Sequence, residues 1–134
     1  MTVDLKMLIA SAVLTVLLAL PYTVGFLFTR GLFVMAGNRE DFPPGKGWIG
    51  RAHRAHLNMV ENMVPFAALV LAAAASGRMD AWTALGAQVF FYSRVVHAVV
   101  YTLGIPWLRT LAYLGGLAGM AMKDAAANRP MKIQ

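Results

Sequence analysis

Four side chains between residues 51 and 61 have the types and the spacing to do chemistry. Arg51, Arg54, Asn58 and Glu61 step by three, four and three. On a helix that spacing puts all four on one face. Pro65 continues the stripe four residues on, where it denies the Glu61 carbonyl its usual amide donor. A second set, Arg94, His97 and Tyr101, steps by three and four on a later segment. Arginines hold carboxylates through paired, charge-assisted hydrogen bonds. A glutamate can hold an ammonium group. A cation beside a ligand thiol favours its thiolate form. Together these residues suit a small peptide-like anion, and a thiol would have to come from that ligand, because the chain has no cysteine.

These polar residues sit in strongly apolar surroundings. Of the 134 residues, 59% are hydrophobic and 13% charged, against about half and a quarter in soluble domains. So small a domain cannot hide that much apolar surface from water. The excess calls for lipid, and the expected fold is an all-α membrane protein, an antiparallel four-transmembrane-helix bundle forming one domain over residues 1–134. The spans are expected at about residues 7–28, 51–76, 81–103 and 107–122. Asp4 beside Lys6 and the length of the first apolar run favour a retained span over a cleaved signal. Residues Thr29 to Gly50, rich in Pro and Gly, read as a polar connector. Asp80 is placed to cap the third span. Gly115 and Gly119 would let another helix approach closely. The tail from Lys123 to Gln134 reads as exposed.

A charge at membrane depth costs several kcal/mol, so both stripes must face a neighbouring helix or a wet cleft. Glu61, the one acid inside an expected span, is the expected partner of Arg94. In an antiparallel bundle Arg30, Arg51, Arg54, Tyr101 and Arg109 fall at one end. Structural alternatives stand beside this reading: arginines snorkelling to headgroups, a packed His97, and tyrosine anchoring at the interface. His53 and His56 make no recognisable metal set, and no metal is expected. The net charge of +6 is scattered among the apolar stretches. That speaks for lipid headgroups and small anions and against nucleic acid, which would want a continuous basic face. Six basic residues flank one expected side (30, 39, 46, 51, 54, 109) and five the other (6, 78, 123, 129, 132). The difference points weakly to a cytoplasmic first loop.

The run Arg51-Ala52-His53-Arg54-Ala55-His56-Leu57-Asn58-Met59-Val60-Glu61-Asn62, followed by Pro65-Phe66, resembles the signature of the membrane-associated proteins in eicosanoid and glutathione metabolism (MAPEG). It is most similar to the microsomal glutathione transferase branch. Arg94, His97 and Tyr101, then Pro106 and Arg109, match that branch's third-helix pattern, and Thr29-Arg30 with Asn38, Glu40 and Asp41 is a weaker match. The resemblance implies a multi-pass homotrimer that binds glutathione as co-substrate between subunits, near the cytoplasmic side. It implies glutathione contacts from Arg30, Arg54, Asn58, Glu61, Arg94 and Tyr101, with Arg51, His56 and His97 beside them. Arg109 would stabilise the thiolate, and Tyr101 is a second choice for that role. Asn62 stands where the eicosanoid synthases carry an aromatic residue, which points away from a leukotriene-type reaction. The implied activity is transfer of glutathione to lipophilic electrophiles from the bilayer, with reduction of lipid hydroperoxides by the same thiolate. The alternatives are a non-catalytic lipid- or partner-binding member of the family and a proton-conducting bundle using Arg94, His97 and Glu61.

Overall fold

A computed structural model describes residues 1–129. Among these the chain is helical, with α1 at Val3–Arg30, α2 at Leu32–Ala36, α3 at Gly47–Ala75, α4 at Ala81–Leu103 and α5 at Pro106–Ala127. The four long helices lie close to their expected bounds. The connector after α1 is less irregular than its Pro and Gly content suggests. It holds the short α2, and its last four residues already belong to α3.

Local chemistry fixes the ends. The Thr2 hydroxyl accepts from the Leu5 amide at the start of α1. Asp80 caps α4 as expected, accepting from the Thr83 amide at 2.8 Å while the Thr83 hydroxyl takes the Asp80 amide. That reciprocal pair satisfies donors a helix start leaves unmet. Gly104 ends α4 at φ +80°, in the left-handed region open to glycine. Pro106 opens α5 at a position where its missing amide costs nothing.

The helices run up and down. α5 returns along α4 with the most extensive packing in the molecule, and α1 lies mainly on α3. Gly119 explains the closeness of α4 and α5, because a methyl group there would lie 2.6 Å from the Phe90 amide nitrogen. The core is centred on Phe66 of α3 and Phe90 of α4, stacked at 3.8 Å, with Met59, Val70 and Ala87 around them. A smaller cluster of Phe26, Met35 and Ile49 closes the end where α1 meets α2 and α3.

α1 and α3 are each long and apolar enough to cross a membrane. Much of the outer surface is aliphatic, including Val13, Val16 and Leu17 on α1.

The expected exposed tail is corrected at Lys123. α5 continues past it to Ala127, and Lys123 is 0% exposed, paired with the buried carboxylate of Asp4. The charge sits inside because Gly86 of α4 leaves room for the lysine stem to pass: a methyl group there would lie 3.3 Å from Lys123 Cγ. Asp4 is thus an internal partner of α5. The rest of the expected tail, residues 130–134 with Lys132, lies outside the described residues.

Candidate functional site

One end of the bundle gathers the C-terminal ends of α1 and α4 and the N-terminal ends of α3 and α5. Toward that end the structure links Asn58, Arg94, His97, Tyr101 and Arg109 of the residues singled out above.

Arg94 is the largest fully buried side chain, 1% exposed between α3, α4 and α5. Its Nη1 donates to the Asn58 side-chain oxygen at 2.8 Å. Its Nε and Nη2 are buried without a partner. The expected Glu61–Arg94 ion pair does not form. Glu61 is exposed on the protomer, and the ion pairs among the described residues are Lys123–Asp4 and Arg129–Asp80. The reason is angular. Asn58 lies on the part of the α3 face turned to α4, whereas Glu61, three residues on, is rotated out of the bundle.

An arginine can only donate, so it fixes the Asn58 amide. The oxygen faces Arg94, and the Asn58 NH2 is turned away from the guanidinium. The neighbouring Asn62 is buried and donates to the Asn58 backbone carbonyl at 2.8 Å. The orientation of the Asn58 side chain is thus set by Arg94.

From Arg94 a column of rings and cations runs toward the end of the bundle, between α4 and α5. The Arg94 guanidinium stands 5.4 Å from the Tyr113 ring centre. Tyr113 is 6.3 Å from His97, and His97 is 5.4 Å from Tyr101. Tyr101 in turn lies 4.7 Å beneath the Arg109 guanidinium. His97 is buried, while Tyr101 and Arg109 are half-buried. The outer pair thus joins a cation and a phenol at an accessible position, where a cation over a ring face is held by the ring quadrupole.

The other stripe residues divide by role. Arg51 donates through Nε to the Thr102 carbonyl at 2.9 Å and packs on Gly104, so it caps the C-terminal end of α4. Arg54 is exposed. His56 Nδ1 shares a 3.1 Å hydrogen bond with the Tyr22 hydroxyl, and the His53 ring lies 4.6 Å from the Tyr22 ring.

Arg30 is held by the connector. Its guanidinium lies 4.1 Å from the Phe42 ring centre and 4.7 Å from that of Phe26. Nη2 donates to the Pro44 carbonyl at 3.3 Å, and Nη1 is buried without a partner. No hydrogen bond or ion pair joins it to the α3 stripe among the described residues. It lines a cavity of about 890 Å³ with Phe26, Val34, Phe42 and Ile49.

Spacing alone missed Tyr22, Tyr113 and Phe42. Tyr22 and Tyr113 sit on other helices from the residues they contact, and no periodic signal links them. Phe42 is a lone aromatic in a Pro-rich stretch.

Compared with known families, residues 6–122 match the sequence model of the MAPEG family. No curated protein and no solved structure matches the chain.

Proposed function

The chain belongs to the MAPEG family, and from that membership we propose that it is a multi-pass membrane enzyme that transfers glutathione to lipophilic electrophiles. All four long helices cross the bilayer in this reading. α4 and α5, with 23 and 22 residues, are each about 33 Å long or more at 1.5 Å per residue, enough for a hydrocarbon core of about 30 Å. The end carrying Arg30, Arg51, Arg54 and Arg109 faces the cytoplasm.

The observation that carries the reading is the Arg109–Tyr101 pair, an accessible cation over a phenol at the mouth of the α4–α5 column. A thiol with a pKa near about 8.5 is mostly protonated at neutral pH, and a neighbouring guanidinium favours its thiolate. The thiol proton leaves to solvent. The sulfur then forms the bond to the electrophilic carbon as the leaving group departs with its electron pair. With a lipid hydroperoxide, two glutathione molecules give one disulfide, the alcohol and water.

Arg54, Asn58 and Glu61 supply the recognition. The free Asn58 NH2 presents a donor to a carbonyl or carboxylate, Arg54 a cation to a carboxylate, and Glu61 an acceptor to the ligand ammonium. Arg94 and His97 act by holding Asn58 and Tyr101, and Arg51 by fixing the end of α4. Arg54 and Glu61 are both exposed on the single protomer. A carboxylate facing lipid is costly, so a neighbouring copy that covers this face fits both charges, which supports the homotrimer with ligand between subunits that the family resemblance implies.

The test is a calorimetric titration of the purified protein with glutathione, read alongside thiolate absorbance. Binding heat and a thiolate signal are expected, and Arg109→Ala should raise the apparent pKa of the bound thiol. A protein that gives neither heat nor thiolate does not have this function. One that holds lipid without turnover and is indifferent to Arg109→Ala is a non-catalytic family member.

A further inference from the structure

The outer face of α4 carries two polar side chains at a depth where lipid offers them nothing. Phe90 points into the core and is 0% exposed. Gln88 and Tyr92 stand two residues to either side of it, each turned about 160° away on a helix of about 3.6 residues per turn. Tyr92 is 60% exposed and Gln88 is half-buried. Leu85, Val96 and Val99 share this face and are each about half exposed. Tyr92 is the middle residue of Ala81–Leu103, about 16 Å from either end at about 1.5 Å per residue, and Gln88 lies one turn from it. A tyrosine that serves only as an anchor belongs at the headgroup level instead. The Tyr92 ring lies 5.3 Å from that of Phe91. Among the described residues, neither the phenol nor the Gln88 amide has a hydrogen-bond partner.

These groups need a partner that reaches the middle of the bilayer. Half of a hydrocarbon core of about 30 Å separates them from either headgroup layer, and acyl tails bring no donor or acceptor to that depth. Another helix does, and amide and hydroxyl side chains join helices in membranes through such bonds. The phenol and the amide each both donate and accept, so the face is its own complement. Leu85, Gln88, Tyr92, Val96 and Val99 include no ionised group, so nothing opposes an identical face. Copies of one chain share one orientation in a bilayer, and a two-fold axis along the membrane normal brings the same residues of both to one level, as an isologous contact requires. We infer that the outer face of α4 docks a second copy of this chain, with Gln88 and Tyr92 hydrogen-bonded across that axis. This face is distinct from the α3 face that bears Arg54 and Glu61, so the contact joins ligand-binding units to one another and does not build the ligand site. The inference rests on α4 crossing the membrane and is independent of the glutathione chemistry.

The chain has no cysteine, so a single introduced cysteine reports a contact without background. Leu85→Cys and Val99→Cys, each in the full chain in native membranes, are oxidised with copper phenanthroline. Each should give a disulfide-linked dimer of this chain. Adding Gln88→Leu with Tyr92→Phe should lower that yield about tenfold, the effect of one or two interhelical hydrogen bonds. Native mass spectrometry of the cysteine-free chain from nanodiscs should show the assembly falling to half its copy number when Gln88→Leu and Tyr92→Phe are introduced, with the heat of glutathione binding unchanged. A missing dimer, a yield or copy number indifferent to the two substitutions, or a cross-link to a protein of another mass overturns the inference. So does labelling of Tyr92→Cys by a membrane-impermeant maleimide, because α4 then does not cross. Glutathione heat lost along with the contact also overturns it, by placing the face inside the unit that forms the ligand site. A parent chain that cross-links but binds no glutathione refutes the glutathione reading and leaves this one standing.

Discussion

Replacing Gly119 with alanine tests the packing that holds the α4–α5 column in place. A methyl group at Gly119 would sit 2.6 Å from the Phe90 amide nitrogen, 2.7 Å from the Gly86 carbonyl oxygen and 3.0 Å from Phe90 Cα. All three are backbone atoms of α4, so no rotamer change can relieve the contact. To restore ordinary contact, near 3.5 Å, the two helices must separate by about 0.8 Å or more. A rigid helix moves as a unit, so the separation also loosens the contacts around Arg94 and between Tyr101 and Arg109. Overpacking of this kind costs about 1–3 kcal/mol, which for a chain of this size is a fall in Tm of about 4–12 °C. Gly115→Ala is the internal control. There the added methyl meets the Ser93 hydroxyl at 2.5 Å, a side-chain atom that can turn away. Its cost should stay under about 1 kcal/mol, and Ser93→Ala should remove it. Thermal unfolding of the three variants in detergent decides the matter. Gly119→Ala as stable as the parent, or less harmful than Gly115→Ala, would refute the claim that α4 and α5 meet backbone to backbone.

Two further changes probe the buried polar groups. Lys123→Met leaves Asp4 buried and unpaired, and should cost about 3–5 kcal/mol in detergent unfolding, with Asp4→Leu in the same chain restoring most of the loss; an additive double variant would contradict the pairing. Asn58→Asp keeps an acceptor for Arg94 and removes the outward NH2, so stability should hold while glutathione affinity falls about tenfold to a hundredfold by titration; unchanged affinity would remove Asn58 from the ligand set.

The sequence carried the architecture a long way. Apolar run lengths located the four long helices, Pro106 and Gly104 marked the α4–α5 break, and Asp80 announced the start of α4. Each of these signals is local, since a helix end is set by groups within a turn or two of it. The three- and four-residue steps also placed Arg94, His97 and Tyr101 on one face correctly. Periodicity fixes the face a side chain shares but not the partner it meets. Hence Glu61 looked like the mate of Arg94, yet the rotation of α3 about its axis gave that place to Asn58 and turned the carboxylate outward.

What lies between elements was decided only by tertiary structure. Lys123 reads as the start of a polar tail and is instead fully buried, because Gly86 on another helix opens a path to Asp4, 119 residues away in the chain. Arg30 looks like a snorkelling cation until Phe42 and the Pro44 carbonyl close over it. Local energies along a chain set where helices form. The rotation, register and spacing of those helices come from contacts distant in sequence, and those contacts determine which charge is buried, which is paired and which stays available to a ligand.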